Sequence, residues 1–181
     1  ALLRLENQQV AWLLLQQCAA TQANYWLRTV PPHQALHYAR EHDRPILDAF
    51  CALVAYAAPD PAKPVPTWAR QLSLPLRLGG LGLRCAVRTS APAYWASWAD
   101  CLHPLQRRFP EHAAARLGNL EDPNGPHAAA EAAQAAAATL QAAGMQPFPS
   151  WRDFAAGLRP ALPALGEVEP GDWAQGWQFF A

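Results

Sequence analysis

The sequence predicts a mainly α-helical protein: an irregular multi-helix domain with one short extended Leu/Gly segment over residues 74–83. Three observations lead to this expectation. Apolar residues recur at the three- and four-residue spacing of helices in several stretches. Eighteen prolines and ten glycines interrupt the chain often, which favours short helices. Of the 181 residues 51% are hydrophobic and eight are tryptophan, which is enough for a buried core.

The first part of the chain predicts helices separated by prolines. Residues 2–19 have a helical pattern, and residues 10–15 are almost entirely apolar, as in a buried element. A second helical stretch is expected over residues 33–56. Pro45 should divide it into two helices, because proline lacks the amide hydrogen that a helix interior uses. The proline-rich residues 59–66 predict a surface connector.

Residues 74–83, with the sequence LPLRLGGLGL, are followed by the expected core helix. Leucines alternate up to a Gly-Gly pair, which predicts an extended segment that ends in a sharp turn. The next helix is expected to be capped by Ser90, with Pro92 in its first turn. One face of this helix carries Trp95, Trp98, Leu102 and Leu105. This spacing predicts the main core element of the chain.

After residue 110 the composition changes, and we expect two regions: residues 1–110 and an appendage of residues 111–181. Residues 118–126 predict a loop. Residues 128–143 contain eleven alanines and predict a helix that ends at Gly144. Aromatic and apolar residues at helical spacing follow, and we expect them to dock on a core: Trp151, Phe154, Leu158, Trp173, Trp177 and Phe180.

Charge divides the chain although the net charge is zero. Residues 1–110 hold eleven lysines and arginines against six acidic residues, and residues 111–181 hold three against eight. Thirteen of the fourteen cations are arginine, which suits bidentate phosphate contacts. Arginines interleaved with aromatic residues can bind nucleic acid. The same pattern arises when tryptophans fill a core and arginines border it, so both interpretations stay open.

No motif in the sequence predicts catalysis. The four cysteines have no short paired spacing, so we expect structural thiols and a reducing, intracellular compartment. His33 and His37 lie one helical turn apart but lack a third metal ligand. The glycines of residues 79–82 lack the lysine of a phosphate-binding loop. We therefore predict no cofactor, no metal site, no small-molecule ligand and no membrane span.

Three segments, in order, resemble the region that follows the catalytic core in reverse transcriptases of non-LTR retrotransposons. Residues 14–32 are similar to a leucine-rich helix with Cys and then N-Y/H-x-L-R-T-x-P-P. His42-Asp43 matches a recurrent A-x-x-H-D. LPLRLGGLGLR, followed by APAYWASWAD, is similar to the family's LP-x-R-x-GGLGL-R and its next helix. The resemblance covers residues 10–110.

This resemblance implies a thumb-like or connecting helical region that packs on the palm and follows the template–primer backbone. In the family, palm carboxylates upstream of the matched region hold two metal ions for polymerisation. This chain has no F/Y-x-D-D element, so the resemblance implies that it does not polymerise by itself. The matched positions expected to contact nucleic acid are Arg28, Arg77, Arg84 and Arg88.

Two functions are therefore expected. The first is that of a non-catalytic reverse transcriptase fragment that contacts RNA–DNA or other nucleic acid. The alternative is a structural subunit that binds protein partners through tryptophan-rich faces. A contiguous arginine groove would favour the first function, and large exposed aromatic faces would favour the second.

Overall fold

The computed structural model describes residues 2–58, 60, 62, 66–74, 76–122, 127–146, 148–159 and 177. These residues form helices and no strand, which confirms the predicted mainly α fold class. The α-helices are α1 Gln8–Leu14, α2 Asn24–Thr29, α3 Pro32–Leu53, α4 Thr67–Leu72, α5 Ala86–Arg108, α6 Pro110–Glu121, α7 Ala128–Ala142 and α8 Trp151–Ala155. Short 3-10 turns cover Leu2–Arg4 and Leu76–Leu78, and a π-helical turn covers Leu15–Ala19.

The chain divides into two compact units that interleave in sequence. Unit 1 comprises Ala1–Trp26 and Ala35–Ser90, and unit 2 comprises Leu27–Gln34 and Ala91–Ala181. This grouping follows spatial contacts. The division at residue 110 follows composition, and it stays a prediction.

The core of unit 1 is formed by α1, the C-terminal half of α3, α4 and the start of α5. Its buried apolar residues are Leu15, Ala20, Ile46, Phe50, Cys51, Leu72 and Leu83. Trp12 of α1 packs edge-on against Phe50 of α3, with ring centroids 5.8 Å apart. Only one side of α1 takes part in this core, because Ala11 is buried while Val10 and Leu13 are exposed.

Helix α3 continues through Pro45, so the predicted division of this helix is wrong. Proline removes one hydrogen bond, and here the affected carbonyl belongs to Glu41, an exposed residue that water can reach. Arg44 also donates to both carboxylate oxygens of Asp48 at 3.1 Å across the same turn. An exposed pair of this kind stabilises a helix by about 0.3–0.5 kcal/mol.

The core of unit 2 is centred on α5, as its apolar face predicts. Trp95 is completely buried and contacts aromatic rings from later parts of the chain. Helix α7 packs its small residues into the same core, and Leu140 lies at its buried end. The helix ends at Ala142, and Gly144 adopts a φ of +90°, as expected for a glycine after a helix.

The predicted loop over residues 118–126 is partly wrong, because α6 continues to Glu121. Leu120 is buried, and the side-chain amide of Gln134 donates to the carbonyls of Leu120 at 2.8 Å and Asp122 at 3.1 Å. These contacts satisfy carbonyl groups at the helix end that would otherwise need water. Residues 123–126, Trp173 and Phe180 lie outside the described residues.

None of the helices in the described ranges combines the length and apolarity that a bilayer-spanning helix requires.

Candidate functional site

The glycine loop, residues 74–83, folds back on the end of α4. The carbonyl of Leu72 accepts hydrogen bonds from the amides of Leu81 at 3.3 Å and Leu83 at 3.0 Å. The carbonyl of Leu74 accepts one from Gly82 at 2.9 Å. The predicted sharp turn is present, since Gly79 has a φ of +77°. The segment before it forms the short 3-10 turn Leu76–Leu78.

Gly80 is the position of this loop where only glycine fits. A Cβ atom there would overlap the backbone carbonyl of Leu74. The loop is also held from outside, because the Gln16 side chain donates to the carbonyl of Leu81 at 2.8 Å. The Gly-Gly pair therefore serves close backbone approach in this structure.

Asp43 of α3 caps the helix that follows the glycine loop. Its Oδ1 atom accepts a hydrogen bond from the amide of Ala86 at 2.6 Å. Its Oδ2 atom accepts from the amide of Val87 and from the thiol of Cys85, each at 3.0 Å. A carboxylate at this position satisfies orphan amides and interacts favourably with the helix dipole.

The cap at Asp43 corrects the predicted start of α5. The helix begins at Ala86, and Ser90 lies inside it. The Ser90 hydroxyl donates to the carbonyl of Val87 at 3.0 Å. The capping group comes from a residue more than forty positions earlier, so the local sequence pattern pointed to the wrong side chain.

Replacing Asp43 with alanine is expected to lower the free energy of unfolding by about 2 kcal/mol, because two partly buried amides lose a charged acceptor. Asp43→Asn keeps one acceptor oxygen and should lose about half as much. Urea denaturation measures both variants. Asp48→Ala is the matched control, since Asp48 lies on the same helix and pairs with the exposed Arg44. Equal losses at both positions would contradict the capping role.

Cys85 is held as a protonated thiol by the same carboxylate. Burial, followed by the hydrogen bond to Asp43, raises the pKa of Cys85 from 9.0 to about 11. Because the folded-state pKa is the higher one, the thiol's contribution to stability is complete below pH 9. It is lost as the pH rises from about 9 to about 11.

Alkylation of the folded protein is expected to follow exposure and thiolate content. All four cysteines are free thiols, and Cys18 is exposed whereas Cys51 is buried. At mildly alkaline pH, iodoacetamide should modify Cys18 well before Cys85 or Cys51, as peptide mass spectrometry would measure. Asp43→Ala should accelerate the modification of Cys85 alone. Rapid labelling of Cys85 in the parent protein would contradict the assigned hydrogen bond.

The structure separates the four arginines that the resemblance singles out. Arg28 belongs to unit 2, where its guanidinium lies 3.6 Å from the carboxylate of Asp100. Arg84 and Arg88 belong to unit 1 and are both exposed. Arg77 lies in the turn Leu76–Leu78, and its side chain is outside the described part of the chain.

Arg84 and Arg88 lie at the N-terminal end of α5. Arg84 directly precedes Cys85, and Arg88 donates to the hydroxyl of Ser73. Cations near a helix N-terminus are disfavoured by the helix dipole, by about 0.3–1 kcal/mol each. Helix stability therefore does not explain two arginines at this end.

Arg28 has a different environment from this pair. Its backbone carbonyl accepts a hydrogen bond from the Ser97 hydroxyl at 2.7 Å, and its side chain pairs with Asp100. Both contacts join α2 to α5 within unit 2. Arg28 thus has a structural partner that the sequence pattern did not reveal.

Comparison with protein-family profiles, curated proteins and solved structures finds no match to this chain. Among the described residues, no group of three or more His, Cys, Asp or Glu side chains could hold a metal ion. The candidate site is therefore argued from surface chemistry and packing alone.

The exposed apolar surface lies mainly in unit 1. Of the fifteen large hydrophobic side chains that are exposed in the described ranges, thirteen belong to unit 1. The tryptophans of unit 2 contribute little to such a surface, since Trp95 and Trp177 are buried. The sequence analysis expected tryptophan-rich partner surfaces and missed the aliphatic one.

Proposed function

We propose that this chain is a non-catalytic helical module related to the post-catalytic region of non-LTR reverse transcriptases, and that it packs on a polymerase palm through the outer face of α1. The observation that carries this proposal is the exposure of that face. Val10, Leu13 and Leu14 are exposed by 45%, 48% and 38%. Their spacing of three and four residues places them on one side of the helix.

Helix α1 has the composition of a helix that is buried on all sides. Its inner side is covered, because Ala11 and Leu15 are buried. Residues 7–27 contain no charged side chain, so α1 has no solvated charged face. A helix that is apolar all round is buried in a complete assembly. Leu3 and Leu5, just before α1, are exposed as well.

The resemblance provides the reason for choosing a palm as the partner. In that family the palm precedes the matched region along the chain, and Leu3–Leu14 is the part of this chain nearest to it in sequence. The contacts of Asp43 with Cys85, Ala86 and Val87 also support the resemblance. They join two of its segments, His42-Asp43 and LPLRLGGLGLR, into one folded element.

Binding in trans tests the packing proposal. The chain would be mixed with a separately expressed fingers–palm segment of a non-LTR reverse transcriptase, and the complex measured by sedimentation velocity. Leu13→Asp combined with Leu14→Asp should weaken binding at least tenfold, because both leucines lose their burial. Gln9→Asp adds a charge at another exposed position of the same helix and should bind normally. Absence of a complex, or unchanged binding of the leucine variant, would overturn the proposal.

A second function, contact with a nucleic-acid backbone, is favoured by Arg84 and Arg88. Both are exposed at a helix end that disfavours cations, and a phosphate would compensate their charge there. Fluorescence anisotropy with a labelled RNA–DNA primer–template, titrated with salt, tests this function. Arg84→Ala with Arg88→Ala should flatten the salt dependence by about 0.9 per lost phosphate contact, and Arg40→Ala should not. Equal slopes in all three proteins would exclude these contacts.

A further inference from the structure

Unit 1 contains an apolar groove of about 380 Å³ beside the glycine loop. Its walls come from the end of α3, from α4 and from the loop, and include Phe50, Val54, Tyr56, Trp68 and Leu81. No charged residue lines it. Trp68 and Tyr56 are packed edge to face, with ring centroids 5.2 Å apart. The groove can therefore accept aliphatic side chains without desolvating a charge.

The same loop presents an apolar protrusion next to this groove. Leu76 and Leu78 are exposed by 73% and 62%. Gly79 and Gly80, which follow them directly, line the groove. The hydrogen bonds between residues 72–74 and 81–83 and the close approach at Gly80 fix the loop. The protrusion is therefore preorganised rather than a flexible tip.

We propose that unit 1 mediates a two-fold symmetric dimer in which Leu76 and Leu78 of each copy enter the groove of the other. A two-fold interface uses the same patch on both copies, so that patch must be complementary to itself. Here the apolar protrusion and the apolar groove are adjacent within one rigid loop region. This surface is separate from the α1 face, so the dimer stands independently of the proposed function.

The exposed area is sufficient for a weak dimer. Leu76, Leu78, Leu81, Val54 and Tyr56 expose between 39% and 73% of their surface. Together they present on the order of 500 Å² per copy, which gives about 1,000 Å² in total, the lower bound for a specific interface. An interface of this size predicts a monomer–dimer equilibrium in the micromolar range.

Sedimentation equilibrium of the full chain over a range of concentrations tests the dimer. The protrusion variant, Leu76→Asp with Leu78→Asp, and the groove variant, Val54→Arg, should each remain monomeric at concentrations where the parent dimerises. A mixture of the two variants should form a heterodimer, because one intact protrusion still meets one intact groove. Circular dichroism would establish that both variants keep their helix content.

The α1 variant Leu13→Asp with Leu14→Asp is the matched control, and it should dimerise like the parent. A parent protein that stays monomeric, or a mixture without heterodimer, would overturn the proposal. So would loss of the dimer in the α1 variant, which would assign self-association to that face. Palm binding is measured separately, so the two proposals can fail independently.

Discussion

Replacing Trp95 with alanine is expected to lower the free energy of unfolding by about 3–5 kcal/mol, the largest loss for any single substitution considered. Trp95 is completely buried at the centre of unit 2. Its ring centroid lies 5.3 Å from that of Phe148, 5.4 Å from Phe154 and 5.7 Å from Trp177. Removal of the indole leaves a cavity that these rings cannot close without losing their contacts with one another. Denaturant titration followed by near-ultraviolet circular dichroism measures the loss.

Two further variants separate the sources of this effect. Within the described residues, the buried indole nitrogen of Trp95 has no hydrogen-bond partner. Trp95→Phe therefore removes an unsatisfied donor along with some volume, and should cost much less than the alanine variant. Trp26→Ala is the exposed control, since Trp26 is 54% exposed, and should cost less than about 1 kcal/mol. Similar losses for Trp95→Ala and Trp26→Ala would contradict the assigned core.

Replacing Gly80 with alanine is expected to cost about 2–3 kcal/mol, because the new methyl group meets backbone rather than a movable side chain. The obstructing carbonyl of Leu74 is itself fixed by its hydrogen bond from Gly82 at 2.9 Å. Relief of the overlap would therefore open the glycine loop. Thermal or urea denaturation measures the effect.

Other glycines provide a graded set of controls for Gly80. Gly79 has open space around it but a φ of +77°, so Gly79→Ala should cost about 1–2 kcal/mol from backbone strain alone. Gly118 lies inside α6 with nothing within 4 Å of an added Cβ. Gly118→Ala should stabilise the protein by about 0.5–1 kcal/mol. A Gly80 variant as stable as the Gly118 variant would contradict the closed loop.

Local patterns predicted the parts of the fold that depend on nearby residues. The spacing of Trp95 and Leu102 indicated the buried face of α5, and Gly144 indicated the end of α7. The Gly-Gly pair indicated a sharp turn. Each of these features follows from periodicity or from the backbone freedom of glycine, which a short window of sequence contains.

The remaining features depend on distant partners. Asp43 caps a helix that begins more than forty residues later, and Arg28 pairs with Asp100 across an even longer separation. Pro45 stays inside a helix because its surroundings tolerate one missing hydrogen bond. The apolar composition of α1 predicted burial, but the sequence could not tell which side of the helix this chain covers.

The two sets of hydrogen bonds around the glycine loop have different consequences for the order of folding. The bond from Leu83 to Leu72 closes a segment of about eleven residues, whereas the cap from Asp43 to Ala86 closes one of 43. Each doubling of a closed loop costs about 0.6 kcal/mol of chain entropy, so the loop can close earlier. We expect the Leu83 amide to gain protection from hydrogen exchange before the Ala86 amide does. The first turn of α5 would then wait for α3, although the rest of that helix could already have formed.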